Sequence, residues 1–250
     1  MIQRVDSPAG EALAPLCGHT ALGTRILGTL AAYGTHTSGV EFWAAPGLAF
    51  GLTDDVLTLA GVPGAEETEE IRLFVQSLAP RAVVCGAAAA EALGLTAEAC
   101  GPVLVRPGQG ECRPCGGFAR AEALQLRRLC GFLQTCETRS FRAPEPEGFY
   151  MDFSHRVRHG AAEGELLLQD GQPAACALAV AVTGTDALLS AVAVRPDLRR
   201  RGLGRAAVEG LCARLGGRRC HLLRAEDENE AFYRALGFKE NGRWAQCSGR

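Results

Sequence analysis

The chain has 250 residues, 47% hydrophobic and 22% charged, with a formal net charge of −2. That length accommodates one large domain or two ordinary ones, and the near-neutral balance argues against a nucleic-acid partner, whose footprint is a basic surface. No apolar run reaches the ~20 residues of a membrane span, and the opening MIQRVDSPAGEALAPLCGHT lacks the continuous apolar core of a secretory signal. No membrane partner and a cytoplasmic location are therefore expected.

In chain order, the first predicted element is a helix over ALGTRILGTLAAYG, where Leu22, Ile26, Leu30 and Tyr33 recur at three and four residues. VEFWAAP, GLAFGLT and VLTLAGV follow as short strands, the last two joined by Asp54 and Asp55 as a hairpin turn. ETEEIRLFVQSLA reads as a helix with acids in its first turn. RAVVCG is a buried strand, AAAAEALGL a short helix and GPVLVRPG another strand. RPGQGECRPCGG, residues 106–117, has the Pro and Gly density of a linker, and RAPEPEG is a second soft stretch.

The second half begins with an amphipathic helix over FARAEALQLRRLCGFLQTC, followed by FYMDFSHRVRHG as a polar connector. GELLLQDG and QPAACALAVAVTG form a hairpin around the turn sequence DGQP. ALLSAVAV is a buried strand, and a helix opens at Gly202 and Gly204. RRCHLLRAE is a strand, NEAFYRALGF a short helix ending at Gly237, and GRWAQCSG the last strand. The halves share an element order without obvious shared sequence, the mark of a distant internal repeat.

The chain has 11 cysteines, an odd number scattered through apolar runs, which fits small buried thiols in a reducing compartment. Cys112 and Cys115 form a C-x-x-C pair that, with Cys130 and Cys136, could hold a zinc ion. The last two sit in or beside a predicted helix at a spacing unlike a usual ligand pair, so no metal is expected.

The stretch RPDLRRRGLGRAA leaves a buried strand, accumulates arginines, and gives up side chains at Gly202 and Gly204 as a helix begins. A helix start already presents unpaired N–H groups and partial positive charge. Arginine and the absence of Cβ bulk add what a diphosphate needs. GLGRAA also fits the dinucleotide fingerprint Gly-x-Gly-x-x-Ala, with Glu226 about twenty residues on. That fingerprint sits directly after its strand, however, whereas RPDLRRR intervenes here, and too little chain follows Glu226 for further βαβ units.

The order of a hairpin and meander followed by strand, loop, helix, strand and helix resembles the GNAT superfamily of N-acetyltransferases. Arg199-Arg200-Arg201-Gly202-Leu203-Gly204 is similar to its signature [Gln/Arg]-x-x-Gly-x-[Gly/Ala], and Phe232-Tyr233-Arg234-Ala235-Leu236-Gly237-Phe238 to its later FY-x-x-x-GF. The resemblance covers residues 150–250 well and 118–150 loosely. It implies an α/β (α+β) fold with a mixed, mostly antiparallel central sheet. It implies acetyl-CoA as co-substrate, with the backbone of Arg200, Arg201, Gly202, Leu203 and Gly204 on the pyrophosphate. Arg199, Arg200, Arg201 and Arg205 would meet phosphate charge, and Val192, Ala193 and Val194 would splay from the neighbouring strand and offer main-chain groups to pantetheine. Tyr233 matches the tyrosine that protonates the departing thiolate, with ring packing as its bland alternative. The glutamate common early in the fourth strand is Leu188 here. Glu165, Glu226, His155 and His159 are the candidate bases, each weighed against a solvated-surface role. The asparagine common seven residues before the tyrosine is replaced by Glu226; Asn229, which is closer, is a candidate CoA contact or a helix cap. His155, Arg156, Arg158 and His159 in FSHRVRHG fall in the substrate-loop region, where arginines could hold a carboxylate or simply fix a helix end.

The equivalent first-half junction, LAGVPGAEETEEI, carries Glu66, Glu67, Glu69 and Glu70 where arginines stand in the second. The expected organisation is therefore a degenerate GNAT-like domain over residues 1–112 and a catalytic domain over 113–250. The expected function is an acetyl-CoA-dependent N-acetyltransferase with one site. It would act on a small-molecule amine or a peptide or protein amine, with oligomeric state left open. The alternative is a non-catalytic acyl-CoA-binding module, favoured by Leu188.

Overall fold

A computed structural model describes residues 1–7, 11–108, 118–120, 123–138 and 141–249. The chain runs β1 (Gln3–Arg4), α1 (Ala14–Cys17), α2 (Ala21–Tyr33), β2 (Val40–Ala45), β3 (Leu48–Thr53), β4 (Val56–Ala60), α3 (Thr68–Leu78), β5 (Ala82–Gly86), α4 (Ala87–Ala92) and β6 (Ala97–Arg106). It continues with β7 (Phe118–Arg120), α5 (Ala123–Thr135), α6 (Pro146–Arg158), β8 (Glu163–Gln169), β9 (Gln172–Val182), β10 (Asp186–Val194), α7 (Leu203–Leu215), β11 (Arg219–Leu223), α8 (Glu230–Ala235) and β12 (Lys239–Ser248). The second series repeats the first: a short strand, two helices, a three-strand meander, then helix, strand, helix and strand. The repeat lies in topology, where sequence shows little of it.

Contacts group the chain into two compact units. The first contains Met1–Leu104, Leu223–Glu228 and Glu240–Arg250; the second contains Val105–Leu222 and Asn229–Lys239. The units therefore do not divide the chain at 112/113. The physical cause is strand pairing: β12 runs antiparallel to β5, from Trp244 opposite Gly86 to Ser248 opposite Ala82. The Trp244 indole donates to the Arg224 carbonyl at 2.9 Å, and the Arg224 amide donates to the Pro102 carbonyl at 3.1 Å.

The first unit orders its strands β1-β2-β3-β4-β5-β12-β6. Its pairs β1–β2, β2–β3, β3–β4 and β5–β12 are antiparallel, and β4–β5 is parallel. Period-two alternation sends successive side chains of β2, β3, β4 and β5 into the two faces of the sheet, and both faces are covered. Leu48, Phe50, Leu57, Leu59, Val83 and Cys85 pack with Ile71 and Val75 of α3 and Ala89 and Ala90 of α4. Val40, Phe42, Ala49, Ala60 and Val84 pack with Leu22, Ile26 and Leu30 of α2. The Asp54–Asp55 hairpin forms, with both residues left-handed at φ 50° and 62°, the backbone of a tight two-residue turn.

The second unit orders its strands β11-β10-β9-β8-β7. All neighbours are antiparallel except β10–β11, which is parallel. This mixed, mostly antiparallel sheet is unlike the parallel sheet of a dinucleotide fold. Asp170 and Gly171, at φ 53° and 71°, close the β8–β9 hairpin. On one face Leu126, Leu129, Phe132 and Leu133 of α5 and Phe153 of α6 cover Leu166, Cys176, Leu178, Ala191 and Ala193. The other face, under α7, is lined by small residues. Ala175, Ala177 and Ala179 of β9 are fully buried, and a Cβ on Gly210 of α7 would lie 3.3 Å from the Glu165 side chain on β8. Small side chains on both surfaces let the helix sit close to the sheet, which fixes where its N-terminus emerges.

Two local readings are corrected. FYMDFSHRVRHG is not a connector: α6 runs Pro146–Arg158, with Pro146 in its first turn and the Glu145 carboxylate accepting from the amides of Glu147 at 3.0 Å and Gly148 at 2.6 Å. Proline lacks the N–H that the first helical position leaves unbonded anyway, so it starts a helix as readily as it ends one. The segment expected to be wholly helical from residue 118 opens instead with β7, which pairs Phe118–Arg120 with Leu167, Leu166 and Glu165 before α5 begins. The 106–117 linker falls mostly on residues 109–117, outside those described, as do Cys112 and Cys115.

Candidate functional site

β10 and β11 are paired only part of the way. Registered pairs run from Asp186 opposite Arg219 to Leu189 opposite Leu222 and then stop. On its other edge β10 stays paired to β9 through Val192–Ala177, Ala193–Cys176 and Val194–Ala175, with register shifts between Leu188 and Leu189 and between Leu189 and Val192. An extra residue bends a strand and sharpens its twist, so these shifts steer β10 away from β11. Beyond Leu189 its main chain has no strand partner on that side among the described residues, and Val192 and Val194 are half-exposed while Ala193 is buried. The Arg199 Nε donates to the Val194 carbonyl at 3.3 Å across the strand end.

From there the chain makes a turn at Pro196–Leu198, pinned by buried Leu198 and by the Arg195 guanidinium, which donates to both Asp197 carboxylate oxygens at 2.8 and 3.2 Å. Arg199 is extended, Arg200 left-handed at φ 65°, and Gly202, the N-cap of α7, left-handed at φ 80°. A Cβ on Gly202 would meet nothing within 4 Å; glycine is required there by the backbone angle. Gly204 is favoured by contact, since its Cβ would lie a tight 3.3 Å from Val194 Cγ2 and 3.6 Å from the Phe232 ring. The first amide to donate back into α7 is that of Ala206, to the Gly202 carbonyl at 3.0 Å. The amides of residues 200–205 donate to no described residue. Unbonded donors around left-handed residues at a 13-residue helix's N-terminus are the backbone arrangement that suits an anion. Arg199, Arg200, Arg201 and Arg205 are exposed around it. Arg205 is ion-paired with Glu209 at 2.8 Å, whereas Arg200 and Arg201 form no salt bridge with a described residue.

α8 packs against this start through Phe232. Tyr233 is 9% exposed and lies edge-on between Phe232 and Phe238, with ring centroids 5.0 and 5.7 Å away. Asn229, left-handed at φ 56°, occupies the N-cap of α8 but makes no side-chain capping bond; its carbonyl accepts from the Tyr233 amide at 3.1 Å. The reading of Asn229 as a cap is thus met in position and not in bonding.

Residues 130–238 match the Acetyltransferase (GNAT) family model. They are a GNAT domain. Solved structures share the wider fold at low identity. A GCN5-related N-acetyltransferase from Kribbella flavida is 17% identical over 92% of this chain and 95% of its own, with TM-score 0.61. A tandem GNAT protein from the clavulanic acid biosynthesis pathway is 15% identical over 100% and 98%, with TM-score 0.62. A GCN5-related N-acetyltransferase from Sphaerobacter thermophilus is 16% identical over 100% and 96%, with TM-score 0.61. No curated protein matches the chain in sequence.

Within the GNAT domain, Leu188 is buried in β10, directly across from His221 of β11. Glu165 is fully buried and ion-paired with Arg214 of α7. Burial lifts its carboxyl above the usual range, and Arg214 pulls the other way. Glu165 thus fastens α7 to the sheet. Glu226, which lies in the first unit, is ion-paired with Arg243. His155 and His159 stack on the last turn of α6 with centroids 4.2 Å apart, and His159 Nδ1 lies 3.0 Å from the His155 carbonyl. Arg156 is committed to Asp152 at 2.7 Å, while Arg158 is exposed.

Sequence reading missed a buried polar cluster. Asp186 is 2% exposed and His221 fully buried; His221 Nε2 lies 2.8 Å from Asp186 Oδ1, and Arg219 reaches both carboxylate oxygens at 3.0 and 3.3 Å. It clamps β10 to β11 on the paired side of the point where they part. Its members stand 33 and 35 residues apart in sequence, so only the strand register brings them together. Among the described residues no group of three or more His, Cys, Asp or Glu could hold a metal ion, and no helix is long and apolar enough to cross a membrane.

Proposed function

We propose that the second unit is an N-acetyltransferase that moves an acetyl group from acetyl-CoA to a primary amine. The reading rests above all on the unbonded amides of residues 200–205, set at the start of α7 beside a strand whose edge is open. These residues fit the co-substrate. The amides from Arg200 to Gly204 would bind the diphosphate, and a helix N-terminus adds about 0.3–1 kcal/mol per favourable charge. Arg200 and Arg201 supply charge-assisted contacts to phosphate. The main chain of Val192, Ala193 and Val194 offers a pantetheine chain the donors and acceptors that another strand would take, with Arg199 at the strand end and Asn229 as a further CoA contact. Acetyl-CoA, when bound, supplies the activated acyl group as a thioester. Tyr233 holds a proton at its hydroxyl for the departing sulfur, and its two aromatic neighbours fix the ring's direction. With Leu188 in place of the common glutamate, the base belongs elsewhere. Glu165 is committed to Arg214, which leaves His155 and His159, at the last turn of α6, as the remaining candidates in the substrate region that the resemblance implies. The acceptor class is an amine on a small molecule, peptide or protein, and the setting is cytoplasmic.

The test measures free CoA thiol released from acetyl-CoA across a panel of amines, beside calorimetry of acetyl-CoA binding. Binding with amine-dependent release supports transfer. Binding without release on any amine favours an acyl-CoA-binding module, and absence of binding removes both readings.

A further inference from the structure

The half-buried Cys212 of α7 and the buried Cys220 of β11 place their sulfurs 3.6 Å apart as free thiols. Both line a small cleft with Arg106, Pro107, Gly108, Gly216 and Arg218. Arg106, at the end of β6, is itself 8% exposed and lies against Cys212. The closeness alone is not distinctive, because Cys85 and Cys247 are also in contact. Those two are fully buried in the first unit, and burial raises both thiols, Cys85 to about 12. Cys17 and Cys176 are likewise pushed up to about 12 by burial, so all four are inert hydrophobes.

Cys212 differs. The hydrogen bond it shares with Cys220 holds its thiol below the usual value against the effect of burial, and the Arg106 charge adds to this. Cys220 is held above its usual value, first by the same hydrogen bond. Cys212 is the more exposed of the two sulfurs, while buried Cys220 also donates to the Arg218 carbonyl at 3.8 Å, so a small oxidant reaches Cys212 first. A cation beside a partly exposed thiol is the microenvironment of a reactive cysteine, in contrast to a structural one.

We propose that Cys212 and Cys220 are a hydroperoxide-reactive dithiol, with Cys212 the attacking sulfur and Cys220 the resolving one. The Cys212 thiolate attacks one oxygen of hydrogen peroxide. An S–O bond forms, the O–O bond breaks, and the leaving hydroxide takes a proton to become water. Cys220 sulfur then attacks the Cys212 sulfenic acid. An S–S bond forms, the S–O bond breaks, and hydroxide leaves as water with the Cys220 proton. Two thiols are oxidised to one disulfide while one peroxide is reduced to two waters. The product ties the C-terminal half of α7, the helix that begins at the anion cradle, to β11.

Treating the full-length protein with stoichiometric hydrogen peroxide, blocking with N-ethylmaleimide and digesting with trypsin tests this directly. Cleavage after Arg214 and Arg219 separates AAVEGLCAR from CHLLR, so only a disulfide keeps them together. The expected result is that linked pair, two hydrogens lighter than the sum of its parts, while Cys85, Cys176 and Cys247 remain alkylatable after unfolding. Cys220→Ser should leave Cys212 as a sulfenic acid trapped by dimedone, and without peroxide Cys212 should alkylate at least ~10-fold faster than Cys85 in the folded protein. Recovery of both peptides separately alkylated from peroxide-treated wild type, or Cys85 and Cys247 joined at the same peroxide dose, overturns the proposal. Because the decisive reading is on wild type, it does not depend on either variant folding.

Discussion

The two strand-to-helix junctions, β4 to α3 in the first unit and β10 to α7 in the second, occupy the same place in the repeated order and differ in almost every local respect. Both leading strands lose their parallel partner part-way, β4 after Thr58 opposite Val84 and β10 after Leu189 opposite Leu222. β10 carries two register shifts, whereas β4 is regularly paired to β3 up to Ala60. At α3 the amides of Glu67 and Thr68 both donate to the Gly64 carbonyl, at 3.2 and 3.1 Å, and Ile71 donates to Glu67 at 3.0 Å. At α7 the amides of residues 200–205 have no such partner. The acids of the first junction are also engaged. Glu69 pairs with Arg72, and Glu70 takes the Ile2 amide at 3.0 Å and the terminal amine at 3.4 Å. Shared topology supplies a helix pointing its start at a strand end. An anion site needs, in addition, left-handed residues that turn successive amides outward and leave them unbonded.

The largest expected effect breaks the second junction. Gly202→Asp should weaken acetyl-CoA binding by more than ~100-fold, because a side chain at φ 80° costs about 1–2 kcal/mol and its carboxylate repels a diphosphate. Calorimetry on the folded variant checks this, and unchanged affinity would remove the cradle from the argument. Tyr233→Phe comes next. Turnover on a true substrate should fall by the ~10²-fold typical of lost general acid–base catalysis, with acetyl-CoA affinity nearly constant. Full activity would reduce Tyr233 to a ring packed between Phe232 and Phe238.

Asp186→Asn sharpens the account of where β10 and β11 part. It leaves buried His221 and half-exposed Arg219 facing a neutral amide, and stability should drop by about 1–3 kcal/mol. A denaturant midpoint unmoved by this change would show that the cluster does not hold the strands. A smaller effect separates the leading helices of the two halves. Glu145 at the α6 N-cap has its carboxyl held below the usual range by the amides of Gly148 and Glu147. A depressed folded value means its stabilisation is present above the unfolded value, near 4.3, and is lost as pH falls through the lower folded value. Thr20, which caps α2 by accepting from the Gly23 amide at 3.0 Å, does not titrate there. Glu145→Ala should therefore lower the melting temperature at neutral pH and leave it nearly unchanged at strongly acidic pH; an equal deficit at both would discard the cap. The last expectation is a null effect. Replacing Glu66, Glu67, Glu69 and Glu70 together by glutamine should leave acetyl-CoA stoichiometry at one per chain, since the Glu67 and Thr68 amides remain bonded to Gly64. A second site appearing would show that charge alone had excluded it.

Several features were legible because they are local. The two hairpin turns follow from residues that tolerate left-handed backbone, and the start of α7 from glycines after a strand. α6 was hidden because PEPEG looks like a breaker to composition, yet Pro146 in the first turn and Glu145 at the cap start a helix. β7 has three residues, too few to show a period against the amphipathic helix that follows it.

By itself the sequence determined the two hairpin turns, the strand, arginine and glycine run that opens α7, and the absence of a glutamate at Leu188, because each depends on residues close together in the chain. Tertiary structure alone decided three things: that β12, last in the chain, lies beside β5 in the first unit; that Asp186, Arg219 and His221 meet; and that Cys212 and Cys220 touch while Cys85 finds Cys247. Strand pairing sets these meetings, and a one-residue change of register would turn every such side chain to the other face of its sheet.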